Sequence, residues 1–119
     1  MTSAQLAQLA AQLLEDRKGR DVRVLDLRAL TPVTDYFVIA TANNPIQARA
    51  MADYLEEKLG ELGVDRHHVE GYQSGRWILL DYGSVVIHVF NPEERDFYNL
   101  ERLWGDAPEV ERQGMAASH

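Results

Sequence analysis

Cysteine is absent from this chain of 119 residues. That removes disulfides, thiolate nucleophiles and cysteine-ligated metals together, and it is expected of a protein working in a reducing compartment. An excess of positive charge is missing too. With 19 acidic against 12 basic side chains the formal net charge is −7, opposite to what a chain neutralising nucleic-acid phosphates needs. The start, Met1-Thr2-Ser3-Ala4-Gln5, has no basic patch leading into an apolar run, so no secretory leader is expected. Charges interrupt every apolar stretch well before the ~20 residues of a membrane span. These absences together point to the cytoplasm. Internal repeats and low-complexity segments are also lacking.

What is present is a 45% hydrophobic content, enough for one domain with an ordinary core and too little chain for two. The acidity suits an encounter with a basic protein, because opposite fields speed association and suppress wrong partners. Taken alone, the charge is better accounted for by solubility.

Residues Ser3 to Asp16 place Leu6, Leu9, Ala10, Leu13 and Leu14 on one stripe of a helix that Thr2 or Ser3 can cap and Gly19 ends. Val22 to Leu27 reads as a strand, and Leu30-Thr31-Pro32 as the connection after it. Tyr36 to Thr41 is almost continuously apolar, the pattern of a strand covered on both faces. Asn44 and Pro45 then open a helix running to about Leu62, with Ala48, Met51, Leu55, Leu59 and Leu62 as its buried stripe and Gly63 as its stop. A short strand is expected around His68 to Tyr72. The strand, helix, strand order implies a right-handed crossover and at least one parallel pair. After Phe90, Asn91-Pro92-Glu93-Glu94 opens a last helix in which Phe97, Leu100 and Leu103 or Trp104 recur at helical spacing. One domain over residues 1–108 and a flexible tail over 109–119 follow from this reading.

The centre of the pattern is Arg76 to Phe90, a β-hairpin turning at Tyr82-Gly83-Ser84. Alternation puts Ile78, Leu80, Val85, Ile87 and Val89 on one face, wholly aliphatic and therefore the core side. Trp77, Leu79, Asp81, Val86, His88 and Phe90 share the other. An aspartate and a histidine are costly to bury unpaired, so this second face is expected to stand open to solvent or to a partner. Large aromatics beside charged groups make a protein-binding composition. Trp77 and Phe90 fit a core equally well at this point, and Tyr98 and Trp104 either extend the patch or pin the last helix to the sheet.

Catalytic readings are thin. Gly83-Ser84 resembles the opening of a nucleotidyltransferase site, yet no pair of carboxylates follows on the next strand, and Asp26, Asp35 and Asp81 are scattered. A small nucleotidyltransferase-like enzyme acting on nucleotides is the alternative function. His67-His68 has no third metal ligand at a recognisable spacing. His88 with Asp81 could form a base and its orienter, but a cross-strand polar contact explains the pair with less.

Asp35-Tyr36-Phe37-Val38-Ile39, Gln47 with Ala50-Met51-Ala52, Glu70-Gly71, and Trp77-Ile78-Leu79-Leu80-Asp81-Tyr82-Gly83 stand in consistent order. Val85-Val86-Ile87-His88-Val89-Phe90, Arg95-Asp96-Phe97-Tyr98-Asn99-Leu100-Glu101, and Leu103-Trp104 with Asp106-Ala107-Pro108 continue the series. Across roughly residues 3 to 108 these pieces resemble the ribosomal silencing factor family, RsfS or Iojap. The resemblance implies a non-enzymatic factor, without cofactor or metal, that binds the large ribosomal subunit through ribosomal protein uL14. There it would sterically block subunit joining and lower translation in starvation or stationary phase. It also implies an α/β fold with a mixed five-stranded sheet flanked by helices, of nucleotidyltransferase-like topology, and a homodimer when free. Two departures stand out: Gly83-Ser84 where the family usually has Gly-Asp, and Ala42 and Asn44 where it often has glycine and serine. Trp77, Leu79, Asp81, His88 and Phe90, extended by Tyr98 and Trp104, are expected to carry the contact. Residues 91 to 112 hold Glu93, Glu94, Asp96, Glu101, Asp106, Glu109 and Glu111 against Arg95, Arg102 and Arg112, an acidic excess suited to a basic partner.

Overall fold

The computed structural model describes residues 1–112. Helix α1 (Ser3–Asp16) starts at a reciprocal cap: the Thr2 hydroxyl accepts the Gln5 amide, and the Gln5 side chain accepts the Thr2 amide. Its face of Leu6, Ala7, Ala10, Ala11, Leu13 and Leu14 is buried. Strand β1 (Arg20–Asp26) begins two residues earlier than Val22, through an irregularity in its pairing where Asp21 takes φ 48°. Strand β2 (Tyr36–Thr41) follows, then helix α2 (Pro45–Glu61), capped by the Asn44 side chain. After these come β3 (His68–Glu70), β4 (Trp77–Asp81), β5 (Val85–Phe90), α3 (Pro92–Tyr98) and α4 (Leu100–Leu103).

The five strands form one mixed sheet in the order β1-β2-β5-β4-β3. Its parallel pair is β2 with β5, setting Phe37 beside Val86, Ile39 beside His88 and Thr41 beside Phe90. The β4–β5 hairpin is antiparallel, with Trp77 opposite Phe90, Leu79 opposite His88 and Asp81 opposite Val86. Gly83 takes φ 82° in the turn, and its amide donates to Asp81 Oδ1 at 2.7 Å. Helices α1 and α2 lie on the aliphatic face, where Ile78, Leu80, Val85, Ile87 and Val89 are all fully buried. Each such side chain contributes roughly 1.5–3 kcal/mol.

Three expectations need correction. Leu62 is 57% exposed, because α2 ends at Glu61 and the chain turns away through Gly63 at φ 78°. Phe97 is 81% exposed, and of the alternatives Leu103 and Trp104 it is Trp104 that packs with buried Leu100, Leu103 being 72% exposed. The last helix is broken by Asn99 in the left-handed region, where its side chain caps α4 by accepting the Arg102 amide, so the stripe does not continue across it. The expected loose tail is fixed over 109–112. The Asp26 amide donates to the Pro108 carbonyl, the Val110 amide to the Val24 carbonyl, and Arg112 pairs with Glu15 at 2.8 Å. The rest of that tail lies outside the described residues.

Candidate protein-docking face

The second face of the sheet is partly closed. Arg95 of α3 is 7% exposed and donates to Thr41 Oγ1 at 2.8 Å, to the Asp21 carbonyl at 2.7 Å and to Glu101 at 2.6 Å. One guanidinium fork thus ties the end of β2, the irregular start of β1 and both short helices together. Held this way, Leu100 packs with Leu25, Leu27, Ile39 and Phe90 into a second small core, against which Phe37, Trp77, Trp104 and Ala107 rest.

Across this core runs an aromatic array. The Trp77 ring stacks on Phe90 at 4.8 Å and meets Tyr98 at 4.6 Å, while Phe37 stands edge-on to His88 at 4.6 Å and to Trp104 at 5.7 Å. Trp77 Nε1–H donates to His88 Nδ1 at 3.1 Å. Burial pushes the imidazole pKa down to about 3, so His88 is neutral. Since Nδ1 accepts, the ring proton sits on Nε2, a buried nitrogen with no hydrogen-bond partner.

The seven expected contact residues therefore divide. Phe90 is fully buried and His88 is 3% exposed, which corrects the expectation that both stand open. Strand parity puts them on the right face, but α3, α4 and the segment after them fold back over that end of it. Trp77, Leu79, Asp81 and Trp104 are half-buried, and Tyr98 is 48% exposed. His88 is not paired with Asp81; its partner is Trp77, and Asp81 instead fixes the turn. Exposed apolar residues missed by the sequence reading adjoin this face: Phe97, in edge contact with Tyr98 at 5.1 Å, together with Leu103 and, beside Phe37 and Trp104, Val33 at 81% exposure. Asn99 was the available signal, an αL-tolerant residue interrupting a helical stripe.

Among the described residues, the groups named in the catalytic alternatives are engaged separately. Asp26 bonds Arg28, Asp81 holds Gly83, and the Ser84 carbonyl accepts the amides of Asp35 and Tyr36. The His67 ring lies against Gly83, whereas His68 meets Glu70 at 2.9 Å. Among the described residues no group of three or more His, Asp or Glu side chains is placed to hold a metal ion, and no helix is long and apolar enough to cross a membrane.

Comparison with known proteins adds the lineage. The family model described as ribosomal silencing factor during starvation matches residues 1–119. A ribosomal silencing factor RsfS of Halalkalibacterium halodurans is 41% identical over 115 residues, covering 97% of this chain and 98% of the relative. The chloroplastic protein Iojap of Zea mays is 36% identical over 101 residues, 85% of this chain and 44% of that longer protein. A crystal structure of a Chromobacterium violaceum protein superposes with a TM-score of 0.85 at 42% identity, covering 88% of each chain. With the sheet, its helices and the sequence agreeing over nearly the whole length, this chain belongs to the ribosomal silencing factor family.

Proposed function

We propose that this protein represses translation by binding the large ribosomal subunit through ribosomal protein uL14 and standing where the small subunit must join, under nutrient limitation or in stationary phase. Family membership over the whole chain carries the reading. A mouse relative, 33% identical over 99 residues, is named mitochondrial assembly of ribosomal large subunit protein 1, which supports the large subunit as the target. The geometry supports a surface: half-buried Trp77 touches exposed Tyr98, which touches Phe97, and half-buried Leu79 lines a hollow with Trp104 and exposed Val33, apolar areas on the same face of an acidic chain. A basic protein would meet both the apolar centre and the acidic surroundings. The action is steric occlusion in the cytoplasm, by a binding factor rather than an enzyme.

Cosedimentation with purified large subunits tests this, with light scattering to follow subunit joining. Comigration and slowed joining are expected; no comigration at low salt would overturn the reading. We further propose that the free protein is a homodimer through part of the same apolar surface. A monomer mass in sedimentation equilibrium at tens of micromolar would refute that.

A further inference from the structure

After Trp104 the chain leaves the second face and passes around the β1 rim of the sheet. Trp104 and Ala107 rest on the small core of that face. The Pro108 carbonyl then accepts the Asp26 amide, and the Val110 amide donates to the Val24 carbonyl. Past the rim the chain reaches α1, which lies on the opposite side of the sheet. The Gln8 side chain donates to the Glu111 carbonyl at 2.9 Å, and Arg112 Nη2 meets Glu15 at 2.8 Å. One short piece of chain thus joins a residue of the docking face to a helix that the face never touches.

Little apolar contact holds this piece. Val110 is half-buried against the main core, while Pro108, Glu109 and Glu111 are exposed. Its remaining ties are polar. The Arg23–Glu109 pair is open to solvent, with side-chain exposures of 42% and 52%, where screening leaves an ion pair weak. The Arg112–Glu15 pair is shielded, at 13% and 27%, and carries more. Yet Nε and Nη1 of Arg112 are buried without a hydrogen-bond partner, so this guanidinium is tied at one corner and retains the cost of its unmet donors. Such a segment belongs to the low-stability end of local opening.

Trp104 depends on it. The residue caps the C-terminal end of α4, a helix of 4 residues and too short to hold a position by itself. Its ring stands edge-on to Phe37 at 5.7 Å and, with Leu79 and Val33, walls an apolar groove of about 380 Å³. Its carbonyl accepts the Ala107 amide at 2.9 Å, so the turn that places the ring runs directly into Pro108.

We infer that residues 108–112 act as a strap that sets the position of Trp104 on the docking face, and that Glu15 holds the strap through Arg112 from the far side of the sheet. Release of the strap frees Trp104 and weakens docking, which makes Glu15 and Arg112 positioning residues. The effect on docking rests on the function proposed above; the tie between strap and Trp104 is a property of the free protein.

Charge reversal in the full chain is the test. Glu15→Arg and Arg112→Glu each set like charges together, and the double variant restores an opposite pair. Amide exchange at Asp26 and Val110 reads the strap, the fluorine resonances of fluorotryptophan-labelled protein read Trp104, and cosedimentation reads large-subunit affinity, with melting curves as the folding control. In each single variant both amides are expected to exchange faster, the Trp104 resonance to move while that of Trp77 stays, and affinity to fall about tenfold. The double variant is expected to recover all three. The single substitutions shift net charge in opposite directions, so a loss common to both is not an effect of the overall field. Unchanged exchange in the single variants, or no recovery in the double one, would overturn the Arg112–Glu15 tie. An unmoved Trp104 resonance despite faster exchange would overturn the strap's hold on that residue, and wild-type affinity with a displaced Trp104 would overturn its part in docking. A wild-type protein that does not sediment with subunits overturns the function proposed above, and exchange and fluorine readings then still decide the tie.

Discussion

The two faces of this sheet use the same strands and are closed in different ways. One lies under α1 and α2, of 14 and 17 residues, and its hairpin side chains are aliphatic and sealed. The other is covered by helices of 7 and 4 residues, anchored by the bonds of Arg95 to Asp21, Thr41 and Glu101, and leaves half-buried tryptophans, exposed Phe97 and a groove. A long amphipathic helix needs only its period to hide a face, and nonspecific apolar contact suffices. Short helices cannot, so directional polar contacts fix them, and what they leave bare becomes available for recognition.

Four measurements would sharpen or break this contrast. If the second face holds a true core beneath its open part, Phe90→Ala should cost about 3–5 kcal/mol in urea unfolding. A loss below about 1 kcal/mol would show that Phe90 is not part of a packed core. Next comes acidification. His88 has a folded pKa of about 3, below the roughly 6.5 of an unfolded histidine. Between these values the unfolded chain binds a proton that the folded one refuses, so stability is full above about pH 6.5 and falls as pH drops toward 3. The fall should reach roughly 2–3 kcal/mol between pH 6.5 and 4.5, and His88→Gln should flatten it. The rings touching His88 belong to Trp77, Phe37 and Phe90 and carry no charge. Asp26, whose carboxyl is held low by its hydrogen bond to Arg28, adds its own loss only below about pH 4.

Trp77→Ala comes third. Because Trp77 stacks on Phe90 and bonds His88, about 2 kcal/mol of folding stability should go with about 2 kcal/mol of subunit affinity. A variant that loses stability but keeps affinity would move Trp77 from recognition to packing. The smallest folding effect belongs to Phe97→Ser, within about 0.5 kcal/mol at so exposed a position, while subunit binding weakens measurably. Unchanged binding would confine the docking surface to the groove side.

Much of this fold is legible in the sequence because its signals are local. Caps at Thr2 and Asn44, the stripes of α1 and α2, the glycine turn and the strict alternation of the hairpin each act within a few residues. The two sets of hairpin faces also follow from parity alone. What covers the second face does not. Phe90 and Leu100 meet only because Arg95 reaches Thr41, 54 positions away in sequence, and nothing in a local window encodes that reach. The same applies to His88, whose partner is settled by the rotamer of Trp77, diagonal to it across the hairpin, rather than by charge. Apolar periodicity misplaced Leu103 because one left-handed residue, Asn99, reorients everything after it.

The segment around Pro108 to Val110 has a consequence for how any partner can approach. An outer strand normally offers a row of unpaired amides and carbonyls to which another polypeptide can add. Here that rim of β1 is already engaged, by the Pro108 carbonyl at Asp26, the Val110 amide at Val24 and a bridge between Leu25 and Glu109. The opposite border, β3, is only three residues long. Extension of the sheet by a foreign strand is thereby disfavoured at both ends, and the molecule is protected against templated fibre growth by its own C-terminal segment.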